Sequence, residues 1–273
     1  MRIKVIFTGG TISSSAFSSG LDVSINNEAA YRLISEFKRA YSQADIEFSA
    51  YSPLNILSEN MTLDYWNNLL NELKRTDFSA FDGIIITHGT DTLGYTAAML
   101  SFMLGGIGIP VVLVSSCYIL TDKRSNGQDN FNNAVYFIKN SGLAGVYAIY
   151  RNRNGASRVY LGSRLRQCEN FTDSFLSVGG VDFGEMKNQV FYPENHSFNP
   201  SLEAVKERAA SGGLLLQQIK RLLPCVFMIS PYTGLDYRNI QPIEKIRAVL
   251  HLLYHASTVC VEKGVNSAAE FCS

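Results

Sequence analysis

The chain has 273 residues, 46% of them apolar and 18% charged, with Lys+Arg and Asp+Glu both at 24. That length can bury one large core or two smaller ones, and the composition belongs to a folded chain, not a disordered one. The balanced charge excludes a basic footprint for nucleic acid or an anionic membrane, so any ligand recognition must be local.

The first predicted element is a strand, "IKVIF" at 3–7, which stops at Thr8-Gly9-Gly10-Thr11. Two successive glycines permit a sharp turn and leave backbone N–H groups uncovered. Such a turn suits a phosphate cradle, a mount for a reactive threonine hydroxyl, or a plain strand-to-helix connection. No G-x-G-x-x-G or G-K-[ST] pattern accompanies it, and Arg2 and Lys4 lie at the wrong end of the strand, which disfavours phosphate. A strand at the very start leaves no basic and apolar leader, so no signal peptide is expected. Apolar stretches such as "GGIGIPVVLV" are too short and glycine-broken to span a bilayer. Five cysteines (117, 168, 225, 260, 272) are an odd number without metal-ligand spacing and read as free thiols in a reducing cytoplasm.

"NEAAYRLISEFKRAY" (27–41) sets Ala30, Leu33, Ile34 and Phe37 on one helical face. "TLDYWNNLLNELKR" (62–75) does the same with Leu63, Trp66, Leu69, Leu70 and Leu73, and starts near Thr62. Further β-branched runs at 83–88, 111–114 and 146–150 read as buried strands. Alternating strands and helices imply an α/β fold, a doubly wound, mostly parallel sheet covered on both faces. Residues 1–184 form the larger domain in this reading. Residues 185–205, rich in Asn, Pro and Ser, read as a linker. Residues 206–273 then make a smaller α/β domain, with "GGLLLQQIKRLLPCVFMIS" helical or strand-like and a helix over "QPIEKIRAVLHLLYHAS" (241–257). No strand follows its last helix, which leaves this domain incomplete or completed by a partner chain.

Ligands in open α/β sheets sit at the carboxyl ends of the strands. Those ends carry Thr8-Gly9-Gly10-Thr11, His88-Gly89-Thr90-Asp91-Thr92 and Ser115-Ser116-Cys117, while Ser58-Glu59-Asn60 precedes the helix that starts near Thr62. A threonine hydroxyl attacks a carbonyl once a base takes its proton, glycine N–H groups hold the oxyanion, and a Ser–Glu pair suits a small amino acid's carboxylate and ammonium. Each piece also has a plain structural reading: a Gly-Gly turn, a packed His88, Asp91 as a helix cap, Glu59 as a solvated charge.

"TGGTI" (8–12) and "HGTDT" (88–92) resemble the two signature motifs of the bacterial-type L-asparaginase and glutaminase family. "SENMT" (58–62) is similar to its substrate-binding turn, and "RSNGQDNFNNAV" (124–135) to a further family segment. The likeness runs from Met1 to about Phe175 and more faintly beyond. It implies a larger N-terminal and a smaller C-terminal domain, a homodimer or homotetramer, and hydrolysis of the side-chain amide of Asn, sometimes Gln, through a threonine acyl-enzyme. Carried over, Thr11 is the nucleophile, with Thr90 and Asp91 the second catalytic threonine and its acidic neighbour. Ser58 and Glu59 hold the substrate's α-carboxylate and α-amino group, and Gly10, Gly89 and Ser116 line the pocket. No metal or organic cofactor is implied, and neither nucleic acid nor membrane is expected as a partner.

Three departures stand against this likeness. Gln167, in "GSRLRQ" (162–167), falls where the family has a Lys beside Thr90 and Asp91. Leu21 falls near the place of a lid Tyr, in "SSSAFSSGLDVS" (13–24). "LLYHAST" (252–258) carries His255 and Thr258 in place of a family Tyr-Gly-x-Gly motif and its Asn. Two functions therefore follow from the sequence: an amidohydrolase, or a weakened relative that binds an amino acid or a partner without efficient turnover.

Overall fold

A computed structural model describes residues 1–16, 23–25, 27–211, 213–240 and 244–272. The chain forms two compact units, 1–220 and 221–273.

The first unit opens with strand β1 (Arg2–Phe7), an antiparallel pair β2 (Ser14–Ala16) and β3 (Val23–Ile25), helix α1 (Asn27–Ala40) and strand β4 (Glu47–Tyr51). Helix α2 (Leu63–Arg75), strand β5 (Gly83–Thr87), helix α3 (Leu93–Met103), strand β6 (Pro110–Val114) and helix α4 (Gly127–Asn140) follow. Strands β7 (Gly145–Arg151), β8 (Ser157–Leu161), β9 (Gly184–Lys187) and β10 (Val190–Pro193) and helix α5 (Leu202–Ser211) complete it. One eight-stranded sheet has the order β10-β9-β8-β7-β6-β5-β1-β4. The run β4-β1-β5-β6-β7 is parallel, and β8, β9 and β10 add antiparallel pairs. The expected α/β architecture is thus present, with a mixed edge. Among the described residues no helix is long and apolar enough to cross a membrane.

Central strands β5 and β6 are buried at every position, as parallel strands covered on both faces must be. Ile3, Val5, Phe7, Ile85, Val112 and Ile149 share one cluster with Leu33 and Phe37 of α1 and Phe131 and Val135 of α4. Since side chains alternate along a strand, α1 and α4 cover one face. Helix α3 lies against the other: a Cβ on Gly162 would meet Ala97 O at 3.0 Å and Val146 Cγ1 at 3.0 Å, and Val146 is a neighbour of Tyr147 with opposite parity. Trp66 of α2 bonds Thr96 of α3, so α2 lies beside it.

This arrangement has a topological consequence. The steps β4→β5, β5→β6 and β6→β7 all advance the same way across the sheet, yet α4 lies on the face opposite α2 and α3. The α4 crossover therefore has the hand opposite to the other helical crossovers. Right-handed βαβ connections are the rule, so α4 makes the exception.

The segment 185–205 is not a linker. It contains most of the β9–β10 hairpin, which extends the main sheet, and the start of α5. Its Asn188 and Gln189 occupy the hairpin turn with positive φ (+48° and +67°), so the Asn-rich composition marks a turn. The boundary lies at 220/221, not at 184. In the second unit strand β11 (Val226–Ile229) pairs in parallel with β12 (Ala248–His251), and a short helix α6 (Ala268–Phe271) follows. The helix expected over 241–257 is absent from 244–257, where β12 stands instead; 241–243 lie outside the described residues. A four-residue apolar run paired to a strand about 20 residues earlier cannot be told from a helix segment by local period alone.

Candidate active site

The chain leaves β1 towards β4 on one side and leaves β5 towards β6 on the other, so the carboxyl ends of β1 and β5 flank a topological switch point. Thr8–Thr11 and His88–Asp91 meet there.

Three turns interlock through glycines at this crevice. Gly9 (φ +105°) and Gly10 (φ +76°) lie in the left-handed half of backbone space, which side chains resist. Gly10 N–H donates to Ile56 O at 2.8 Å, and Ile56 N–H donates to Thr8 O at 3.2 Å, which tie the first turn to residues 56–60. A Cβ on Gly10 would stand 2.4 Å from Gly89 N, and one on Gly89 would stand 2.3 Å from Ser58 Oγ. Both contacts are closer than any side chain allows, so the turns require glycine at their meeting points. The Thr8 hydroxyl donates to Thr87 O at 2.7 Å and binds the ends of β1 and β5 to each other. Thr11 begins the next turn and is half-buried.

Ser58 is buried and bound to Asp91 in both directions. Its hydroxyl donates to Asp91 Oδ2 at 2.9 Å and accepts from Asp91 N–H at 3.2 Å, while the Thr92 hydroxyl donates to Ser58 O at 2.9 Å. Asp91 and Glu59 are exposed, and Thr90 is half-buried. Gln167 reaches the same turn: its amide Nε2 donates to the backbone carbonyl of Asp91. Ser116 is fully buried, and its hydroxyl donates to Tyr118 O at 2.6 Å. It abuts Gly127, where an added Cβ would meet Ser116 Cβ at 3.0 Å and Ile12 Cγ1 at 3.2 Å. The structure thus draws Gly10, Ser58, Gly89, Thr90 and Asp91 into one constellation beside Thr11, with Ser116 in the adjoining loop. Leu21 lies outside the described residues, and the His255–Thr258 stretch belongs to the second unit.

A pocket of about 630 Å³ opens next to Thr90 and Asp91, lined also by Cys117, Arg153, Gln167 and Asp173. Asp173 is not apparent from the sequence. It accepts a hydrogen bond from the Tyr150 hydroxyl and has φ +47°, in the left-handed region. Burial pushes the Cys117 thiol up to about 12, and the Asp173 carboxylate beside it adds to the rise. Cys117 is thus a protonated thiol at neutral pH, and the threonines remain the nucleophile candidates. Among the described residues no three His, Cys, Asp or Glu side chains gather as metal ligands.

Behind the Thr90 turn lies His88, fully buried. Burial lowers its pKa to about 4, against smaller opposing effects of its bond to Gly89 and of the Asp91 charge. It is therefore a neutral imidazole at physiological pH.

Residues 2–197 match the family description "Asparaginase, N-terminal". L-asparaginase 1 of Escherichia coli K12 is 36% identical over 177 residues, which cover 64% of this chain and 50% of that protein. A glutamyl-tRNA(Gln) amidotransferase component of Methanosarcina mazei is 32% identical over 220 residues, 74% of this chain and 50% of that one. The chain therefore spans about half the length of these curated relatives. Among solved structures, the thermostable L-asparaginase of Thermococcus kodakarensis superposes with a TM-score of 0.79 at 23% identity, covering 99% of this chain and 76% of that one. L-asparaginase I of Vibrio cholerae superposes at 0.73 with 26% identity, covering 98% and 74%.

Proposed function

The chain belongs to the asparaginase family, and from that premise we propose that it is an amidohydrolase acting on the side-chain amide of asparagine or a related amide. Thr11 Oγ attacks the amide carbonyl, and its proton passes by way of the Thr90–Asp91 pair to the departing nitrogen. The carbon–nitrogen bond breaks, ammonia leaves, and a threonyl ester remains. Water then attacks the ester, returns a proton to Thr11 and releases aspartate. In this reading the substrate lies between Thr11 and the Thr90–Asp91 edge of the pocket, with the backbone of Gly10 and Gly89 beside it, Ser58 and Glu59 orienting its amino-acid end, and Ser116 behind.

The observation that carries this reading is the three-way glycine contact. Gly10 against Gly89, and Gly89 against Ser58, bring the residues of three separate motifs into one crevice at the switch point. Such close contacts serve positioning, which is where the rate of acyl transfer is gained. A working assembly as homodimer or homotetramer, located in the cytoplasm, belongs to the same proposal.

One observation favours a second reading. The family's Lys position is filled by Gln167, whose neutral amide is bonded to the Asp91 carbonyl. A neutral amide takes no proton, so a slow or non-hydrolytic relative that binds its amino acid is the alternative. Incubation with an electrophilic asparagine analogue, followed by peptide mass spectrometry, separates the two. The amidohydrolase predicts an adduct on Thr11, abolished in Thr11→Ala; a chain that binds aspartate calorimetrically and yields no adduct supports the alternative.

A further inference from the structure

Resting on the proposed reaction at Thr90 and Asp91, we propose that His88 is a positioning residue. Its ring fixes the Gly89–Thr90 peptide through a hydrogen-bond chain of one defined polarity, running from Trp66 through Thr96 to the Gly89 carbonyl.

The polarity follows from the chemistry of the two ends. Trp66 Nε1 lies 2.9 Å from Thr96 Oγ1, and an indole N–H can only donate. His88 Nδ1 lies 2.8 Å from Gly89 O, and a carbonyl can only accept. Nδ1 therefore carries the imidazole proton, Nε2 is bare, and Thr96 must turn its own proton towards Nε2, 2.9 Å away. Every donor in the chain has one acceptor, and no other proton assignment of the neutral ring satisfies all three contacts. The tautomer is thus assigned by its partners.

The chain spans three elements. Trp66 lies on α2, Thr96 on α3, and His88 directly follows β5. His88 and Thr96 are each 0% exposed, so water does not compete for these bonds. His88 N–H also donates to Val114 O at 2.9 Å, which holds the residue at the end of β6. The Gly89 carbonyl belongs to the peptide unit that supplies the Thr90 N–H. Fixing that carbonyl fixes the plane from which Thr90 and Asp91 project. A misplacement of about 1 Å at such a point costs about 100-fold in rate. His88 touches none of the reacting atoms and acts through this peptide alone.

Two substitutions discriminate because they place an amide at different ring positions. Asn reaches the place of Nδ1 and can still donate to Gly89 O; Gln reaches the place of Nε2 and cannot. His88→Asn is expected to keep kcat within about 3-fold of wild type, and His88→Gln should lose about 10- to 100-fold in kcat with KM little changed. Ring ¹⁵N spectra of the wild-type chain, with the His88 signal identified by its absence in His88→Asn, should show Nδ1 protonated and Nε2 bare at neutral pH. Thr96→Val, which removes the donor to Nε2, should shift the ring towards a tautomer mixture. Equal kcat losses in the Asn and Gln variants, or a protonated Nε2 in an active wild-type chain, overturn the positioning role alone. A wild-type chain inactive on every amide overturns the reaction and the kinetic role with it, whichever nitrogen holds the proton.

Discussion

Gln167 replaces a charge with a hydrogen bond. Its amide donates to the Asp91 carbonyl, so it supports the turn without supplying a base. Gln167→Lys keeps a donor at that place and adds an amine, and kcat for ammonia release should rise about 10-fold or more; no gain would mean that the amide already suffices. His88 makes a separate prediction about stability. Its folded pKa of about 4 lies below the ordinary value of 6.5. The unfolded chain therefore binds the extra proton first, and stability falls as pH drops from about 6.5 to 4, then levels. The full difference corresponds to about 3 kcal/mol. Urea unfolding of wild type and His88→Asn across that window should show the extra pH slope in the wild type only. Much of the site is legible in the sequence: Gly10, Ser58, Gly89, Thr90 and Asp91 meet because short motifs at strand ends carry their geometry with them. The His88 chain is not, because Trp66 and Thr96 are separated from it by 22 and 8 positions and only packing joins them.

The elements show why these motifs hold their shape. Gly10 abuts Gly89 backbone to backbone, so no flexible side chain can give way there. Gly10→Ala must accept both that overlap and a φ of +76°. It should destabilise the chain by about 1–3 kcal/mol and abolish turnover, measured by denaturant unfolding and ammonia release. A variant with wild-type stability and activity would mean that the turns do not interlock. Strands β1, β5, β6 and β7 and helices α1 and α2 are legible, since buried parallel strands are unbroken apolar runs and amphipathic helices repeat at 3.6 residues. The contrary hand of α4 is not, because nothing in the local pattern of "GQDNFNNAVYFIKN" records which face it crosses. Strand β12 carries a helix-like pattern for a similar reason: its identity comes from pairing with β11, a partner distant in sequence.

For the whole molecule, the boundary stands at 220 rather than 184 because the β9–β10 hairpin joins the sheet. Asn and Pro near 190 signal a turn, and turn composition cannot say whether flanking residues pair or wander. Arg221, at the observed division, is exposed, as is Lys220 before it. Brief trypsin treatment should cut there first and leave a fragment of residues 1–220; a first cut inside 184–193 would contradict the division. The chemistry of the crevice at the switch point is read out by coupled measurement of ammonia release from asparagine, glutamine and short peptides that carry them, with wild type and Thr11→Ala matched for folding. The proposed function predicts release by the wild type on at least one of these amides and none by Thr11→Ala. Equal rates for the two proteins, or no release from any amide at high enzyme concentration, would contradict it.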